Sequence, residues 1–334
     1  MISRRTMLAS FATSAALTAS GSAHAQTTAG RPALCNLNAS AQAAALFQYL
    51  VSIYGQKTLT GQQESIWQSD GPRHELNHIQ QVTGKEPALL GLDYIDPNDW
   101  TALNDRATAW YRRGGIATIC WHWGNPLIGP GYDQTKIPFN AQKALIDPSS
   151  AEAKAMWRDL KAVGDQLEVL RDRKVPVLWR PFHEFTGDWF WWGKQGPEVF
   201  KALWLVMFDY YVRQRKLDNL IWVLGYTRNV DPAWHPGEGH YDILSADNYV
   251  DTHEPQKQMW TDLKALGGGK PIAMQENGPI PDPDLMAKAG TPWLFFLTWH
   301  SKFIMDGKVN DEAFLKRVYN DERFLTVDEL PGWG

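Results

Sequence analysis

Between residues 57 and 300, short apolar runs alternate with longer stretches in which apolar residues recur every three to four positions. Runs of the first kind read as buried strands, and stretches of the second kind as amphipathic helices. The strand candidates are KTLTGQQ (57–63), PALLGLDY (87–94), GIATICWHW (115–123), VPVLWRPFHE (175–184), LIWVLGY (220–226), YDILSADNY (241–249), PIAMQENG (271–278) and WLFFLTWH (293–300), eight in all. Two of the intervening helices are well marked. Residues 151–170 place Met156, Leu160, Val163, Leu167 and Leu170 on one face after Ser149-Ser150, and residues 198–215 do the same with Phe200, Leu203, Trp204, Met207 and Tyr211 after Pro197. Most of the strand candidates begin as apolar runs, as strands covered on both faces should. Nearly all finish on polar or aromatic residues. That asymmetry predicts an α/β fold with a single (β/α)8 TIM barrel, whose C-terminal strand ends build the site. An open doubly wound sheet is the competing architecture, but no dinucleotide-type glycine fingerprint follows an early strand.

The first 25 residues stand apart from this pattern. They combine a basic start, an apolar middle and an Ala-His-Ala end, which reads as an export signal cleaved after Ala25. The Arg4-Arg5 pair after Ser3 looks like a twin-arginine signal. The apolar middle is short of a spanning helix, and no later segment is long and apolar enough to span. The mature chain is therefore expected in the periplasm or outside the cell, with residues 26–50 leading into a barrel over 51–334. The whole chain carries a net charge of −4, and loss of Arg4 and Arg5 makes it more acidic. Nucleic acid and membrane are not expected partners. With 44% hydrophobic residues the chain can bury a large core, and a monomer suffices. Cys35 and Cys120 are too few for a disulfide framework or a zinc cluster. They pair after export, or Cys120 is a buried free thiol; both alternatives stay open.

The strand ends carry the candidate chemistry. Glu184 closes the fourth candidate and Glu276 the seventh, and these strands lie across the mouth of one barrel. Glycoside hydrolysis needs two such carboxylates, one protonated to give a proton to the departing oxygen and one ionised to meet the anomeric carbon. Either Glu alone would as readily be a structural carboxylate paired with an arginine; two at matching ends favour the catalytic reading. Trp123, Trp189, Trp191, Trp192 and Trp299 also fall at strand ends, whereas Trp157, Trp204 and Trp222 sit in periodic or buried runs and read as core. Sugars present C–H faces that pack on aromatic rings, so such a cleft suits an oligosaccharide. Trp191 and Trp192 serve as a sugar platform or as a hydrophobic plug holding their loop, and Asp93 and Tyr94 contact substrate or make a hydrogen bond at the barrel rim. Glu184, lying among apolar rings, is expected to have its pKa raised toward roughly 6 by desolvation.

The segment WRPFHEFTGDWFWWG (179–193) is similar to the acid/base segment of glycoside hydrolase family 26, a clan-A barrel family dominated by β-mannanases, in which Arg-Pro-x-His-Glu closes the fourth strand and a Trp follows. The resemblance extends through GQQ (61–63), GLDY (91–94), WHWGNP (121–126), DNY (247–249), ENG (276–278) and LTWH (297–300), in family order. It implies Glu184 as general acid/base and Glu276 as nucleophile of a retaining double displacement. It further implies that His183 contacts the sugar or the departing oxygen and that Tyr249 hydrogen-bonds the nucleophile. Trp299 would floor the cleavage point, Trp189 flank the departing side, His122 and Trp123 flank the glycone side, and Arg180 help keep the nucleophile ionised. The implied substrate is a β-mannan, with β-1,3-xylan or mixed-linkage β-glucan as alternatives. No cofactor or metal is expected. Two departures from the family pattern are Gln275 before the nucleophile and the proline-rich PIPDPD after it. Two rival readings remain: a metal held by His122, His183 and His300, and a barrel that binds carbohydrate without cutting it.

Overall fold

The computed structural model describes residues 33–333, so the expected export signal lies outside the described residues. Eight parallel strands close into a barrel in chain order: β1 (Gly61–Gln63), β2 (Leu89–Asp93), β3 (Ile116–Cys120), β4 (Val177–Arg180), β5 (Leu220–Thr227), β6 (Ile243–Asn248), β7 (Ile272–Asn277) and β8 (Phe296–Thr298). Gly61 lies opposite Leu89 and Leu89 opposite Ile116, and the ring closes where Gln62 meets Thr298. This is the expected (β/α)8 architecture.

Alternate residues of a strand face the same way, and two steps along a strand change the lumen from apolar to charged. On β2 the series is Leu89, Gly91, Asp93; on β3 it is Ile116, Thr118, Cys120; on β4 it is Leu178 followed by Arg180. Leu89, Ile116 and Leu178 join Ile221, Val223, Ile243, Ala273 and Leu297 in one buried cluster that also contains Leu46, Phe47 and Leu50. Those last three belong to the helix α1 (Ala41–Ile53), whose start is capped by the Ser40 side chain accepting from the Ala43 N–H. α1 thus stoppers the N-terminal end of the lumen. The intervening strand positions, Leu90, Leu92, Ala117, Ile119, Val177 and Trp179, face outward and pack with the helices in a second cluster.

The two helices read from periodicity are present. Ala151–Asp172 starts on a Ser150 cap and buries Met156, Leu160, Val163, Leu167 and Leu170. Pro197–Phe208 begins with proline in its first turn and runs on as a wider π-type turn over Asp209–Gln214, which brings the Tyr211 hydroxyl within 3.0 Å of the Leu160 carbonyl, to which it donates.

Three expectations need correcting. The first strand candidate is split: Thr58–Leu59 pairs with Phe324–Leu325 in a separate two-stranded ribbon, and only Gly61–Gln63 enters the barrel. Glycine is needed there, because a Cβ at Gly61 would lie 2.4 Å from the Phe296 carbonyl oxygen. The fourth strand ends at Arg180, since Pro181 has no N–H to give the ladder. Trp157 is 38% exposed rather than core, while Trp204 and Trp222 are buried as expected. Both cysteines are free: the backbone N–H of Cys35 is held by Asp242 at 2.6 Å, and Cys120 is buried at the end of β3. No helix among the described residues is long and apolar enough to cross a membrane.

Candidate active site

Past Pro181 the chain turns sharply. Phe182 and Glu184 take φ of 53° and 56°, a left-handed conformation that side chains disfavour and surrounding structure must impose. The imposing contacts are visible. The Trp192 indole N–H donates to the His183 carbonyl at 2.8 Å, the Gly187 N–H to the Glu184 carbonyl at 2.8 Å, and the Glu184 N–H to Asp247 Oδ2 at 3.0 Å. Trp191 donates to the Trp123 carbonyl at 2.7 Å, and both Trp191 and Trp192 are fully buried. Of the two alternatives for this pair, the structure has the hydrophobic plug. Trp189 instead reaches the cleft, where its indole N–H donates to Glu184 Oε2 at 2.5 Å. Burial, reinforced by the negative charge of Glu276, pushes the Glu184 carboxyl up to about 8. The sequence reading allowed for burial but not for the second charge.

Glu276 is aimed by an irregularity in its strand. Ala246 pairs with Met274 but Asp247 pairs with Glu276, so Gln275 is an extra residue in β7. A bulge of this kind bends a strand and redirects a side chain. The Gln275 side chain donates to Asp247 Oδ2 at 3.0 Å, in a space that exists only because residue 225 is glycine: a Cβ there would fall 1.6 Å from Gln275 Nε2. The residue that departs from the family pattern thus braces the carboxyl that holds the Glu184 backbone. On Glu276 itself, Arg180 Nη1 donates to Oε1 at 2.5 Å and the Tyr249 hydroxyl to Oε2 at 2.8 Å. Arg180 is fully buried and also donates to Gln63 Oε1 at 3.3 Å. Two charge-assisted bonds, one to each oxygen, fix the carboxylate's orientation.

A further chain of groups stands beside Glu276. Asp93 accepts from the His122 backbone N–H at 2.9 Å and lies 2.5 Å from His122 Nδ1, whose ring presents Nε2 to His183 Nε2 at 3.1 Å. Burial alone would lower His122, but the Asp93 charge and hydrogen bond outweigh it and hold the ring above its ordinary value. His183 is pushed well below its own by burial, by His122 and by Arg180. Only one proton fits between the two Nε2 atoms, and the opposed shifts favour His122 as its holder. His183 Nε2 is 3.9 Å from Glu276 Oε1.

Glu184, Glu276, His122, Trp189, Tyr249 and Trp299 line one cleft of about 1140 Å³. Arg180 and His183 lie behind its wall, in contact with Glu276 and His122 respectively. His183, expected against the sugar, is only 1% exposed and packs between His122, Phe190 and Trp192. Trp123 is not in the cleft. It stacks on Trp121 with ring centroids 4.2 Å apart and donates its indole N–H to Asp159 at 2.9 Å. His122 continues the inward series of β3, and the residues on either side of it point out. Tyr94 is buried as well, donating to Asn104 at 2.6 Å, so of the two uncertain rim residues only Asp93 borders the cleft.

Sequence reasoning missed Asp247, Trp67 and Tyr132, all of which border the cleft. Burial, Glu276 and Glu184 together push the Asp247 carboxyl well above the usual range. Its signal was its place in DNY, two residues before Tyr249. Trp67, 57% exposed, meets His300 edge-on at 4.6 Å, and Tyr132 faces His122 at 5.5 Å. Trp67 sits in a turn and Tyr132 opens a five-residue helix (Tyr132–Lys136), and neither segment shows periodicity. Among the described residues, the donor sets close enough to share a metal ion are Asp93–Cys120–His122 and Cys120–His183–Glu276, each within 4.8 Å. Neither includes His300, which the three-histidine reading needs.

The model of glycosyl hydrolase family 26 matches residues 35–329. The chain belongs to that family. It is 37% identical over 318 residues to a mannan endo-1,4-beta-mannosidase of Thermothelomyces thermophilus, an alignment covering 90% of this chain and 64% of the relative. A Bacillus subtilis mannan endo-1,4-beta-mannosidase is 32% identical over 285 residues, covering 77% and 76%. In two Piromyces relatives the match covers 51% and 54% of their length, so this chain spans about half to two thirds of several curated relatives. Among solved structures, the Podospora anserina GH26-CBM35 beta-(1,4)-mannanase superposes with TM-score 0.82 at 36% identity, covering 91% of this chain and 70% of that one. A beta-mannanase from a symbiotic protist of the termite Reticulitermes speratus, solved with a gluco-manno-oligosaccharide, gives 0.82 at 32% identity, covering 90% and 98%.

Proposed function

We propose that this chain is an exported, retaining endo-β-1,4-mannanase that cleaves mannan, glucomannan and galactomannan by double displacement. The observation that carries the reading is the contrast between two carboxyls facing one cleft. Glu184, pushed up to about 8, keeps its proton at neutral pH, whereas Glu276 takes a guanidinium on one oxygen and a phenol on the other. In the first step Glu184 gives its proton to the departing glycosidic oxygen while a Glu276 oxygen attacks the anomeric carbon. The bond to the leaving sugar breaks as the bond to Glu276 forms. In the second step Glu184, now ionised, takes a proton from water, the water oxygen attacks the anomeric carbon, and Glu276 departs. Two inversions leave the configuration retained.

The names of the relatives support mannan as the polymer and endo action as the mode, and the termite-symbiont complex supports tolerance of glucose in the chain. Trp299, Trp67 and Tyr132 offer aromatic faces for sugar rings. The export part of the reading rests on residues 1–25.

The test is to incubate the mature protein with mannan, glucomannan, β-1,3-xylan and mixed-linkage β-glucan, alongside Glu184→Ala and Glu276→Ala, measuring released reducing ends and the anomeric form of the first product. Mannan cleavage with retention, lost in both folded variants, is expected. Activity that survives both substitutions, or an inverted first product, would overturn the assignment of the two glutamates.

A further inference from the structure

We infer that Arg228 is a positioning residue for the acid/base: its guanidinium pins the Trp189 ring, and the pinned indole N–H fixes the Glu184 carboxyl on the leaving-group side of the cleft. The inference rests on the reading of Glu184 given above. Arg228 follows β5 and borders the cleft. Its Cζ lies 4.6 Å from the centroid of the Trp189 ring, within cation–π reach. A cation over the ring draws π density and strengthens the indole N–H as a donor, and that N–H bonds Glu184 Oε2 at 2.5 Å.

The surroundings deliver Arg228 to this position. Its φ of 57° is one that non-glycine residues rarely adopt. The residue before it, Thr227, is locked to the loop that bears the acid/base: the Thr186 hydroxyl donates to the Thr227 carbonyl and accepts from the Thr227 N–H at 3.0 Å. The Thr227 hydroxyl in turn donates to the Asp247 carbonyl at 3.1 Å. The Trp189 ring lies so near the Gly187 backbone that a Cβ there would come within 2.5 Å of it. The ion pair of Arg228 with Asp188, at 3.2 Å, joins side chains that are 58% and 80% exposed, and such pairs contribute little by themselves. The contact with the ring is therefore what this arginine adds. The other charged or titratable groups facing Glu184 are Glu276, His122, Arg180, Asp247, Tyr132 and Tyr249.

A sugar oxygen is a poor leaving group and needs the acid's proton, whereas dinitrophenolate leaves without it. Arg228→Ala and Arg228→Lys, with Glu184→Ala alongside, are assayed in the mature protein on glucomannan and on a dinitrophenyl β-mannobioside. Arg228→Ala is expected to lower the polymer-to-aryl ratio of kcat/KM by about fivefold or more. It should also move the basic limb of the pH profile upward, because a cation and a hydrogen bond that favour ionised Glu184 are both weakened. Arg228→Lys, which keeps a cation, should restore most of the ratio. An unchanged ratio and limb in Arg228→Ala would overturn the inference, as would an equal loss on both substrates that lysine does not rescue, the mark of a plain substrate contact. Full polymer activity in Glu184→Ala would sink the acid/base reading itself, so the two failures are distinct.

Discussion

Leu178 and Arg180 sit two residues apart on β4 and both project into the barrel lumen, yet they belong to two kinds of interior. At the level of Leu178 the lumen is filled by Leu89, Ile116, Ile221, Val223, Ile243 and Ala273, all fully buried, and closed from below by Phe47 and Leu50 of α1. The side chains named here carry neither a titratable group nor a hydrogen-bonding atom, and the Thr118 hydroxyl beside them is satisfied by the Leu178 carbonyl at 3.2 Å. At the level of Arg180 the same strands present Asp93, Cys120, Asp247 and Glu276, and several buried polar atoms lack a partner among the described residues, including Arg180 Nε, His183 Nδ1 and Asp247 Oδ1. The lower layer gains its stability from burial, while the upper layer gives some away by crowding charges that a catalytic cleft requires. One ring of strands thus keeps the two tasks about two residues apart.

The contrast is broken most severely at its upper level. Arg180→Met would leave the Glu276 carboxylate buried without its cation. A stability loss of about 3–5 kcal/mol is expected from that alone, together with a fall in kcat/KM of about a hundredfold or more from the lost electrostatic support. Denaturant melts and polymer kinetics check both, and a variant within tenfold of wild type would show that Tyr249 suffices. At the lower level, Phe47→Ala removes a ring that is 1% exposed. Melts should report a loss of about 3–5 kcal/mol, with kcat/KM near the wild-type value well below the transition. A large kinetic defect in this variant would mean that the two layers are not separate.

The lower layer was the legible one. Alternating burial and strand-end polarity follow from the two-residue repeat of a strand, which sets Leu178 and Arg180 on one face, whereas the role of Arg180 came from the family resemblance alone. Glu184 and Glu276 were legible because they fall at the ends of matching strand candidates, and Trp299 for the same reason, whereas Tyr249 was named through the family resemblance. What the repeat could not give is what depends on leaving it. Trp123 was misplaced because the chain beyond Cys120 turns Trp121 and Trp123 outward around an inward His122. Gln275 looked anomalous because a bulge is invisible until the partner strand is known. Trp67 reaches the cleft from a turn and Tyr132 from a five-residue helix, in segments whose course depends on distant contacts, such as Glu75 accepting from both Ser65 and Ser301. The plug formed by Trp191 and Trp192 reads in sequence just like an exposed platform.

A subtler break concerns pH. Since Glu184 must carry its proton to act, and its carboxyl is pushed up to about 8, kcat/KM should fall as pH rises through that value. Profiles on glucomannan check it, and a basic limb near pH 6 instead would mean that burial acts without the Glu276 charge. The lower layer contributes no titrating group to this limb.

The same carboxyl predicts the smallest effect, on stability. In the unfolded chain Glu184 titrates near its ordinary value of 4.5; in the folded protein it holds its proton to about 8. Below the first value both states are protonated and folding bears no penalty. Between the two, the unfolded chain releases a proton that the folded one keeps, so the folded state loses relative stability as pH rises, and the loss is complete above the second value. Glu184→Gln keeps an oxygen for the Trp189 N–H and has no proton to lose. The variant should therefore melt with wild type near about pH 4 and above it near about pH 8.5. Because Glu184 opens on the cleft, solvent takes up part of the penalty, and the gain expected is about 2–4 °C. Thermal melts across that range decide the matter: a gap that does not grow with pH would mean that folding places no strain on this carboxyl, and the upper layer would then be less costly than its crowding of charge implies.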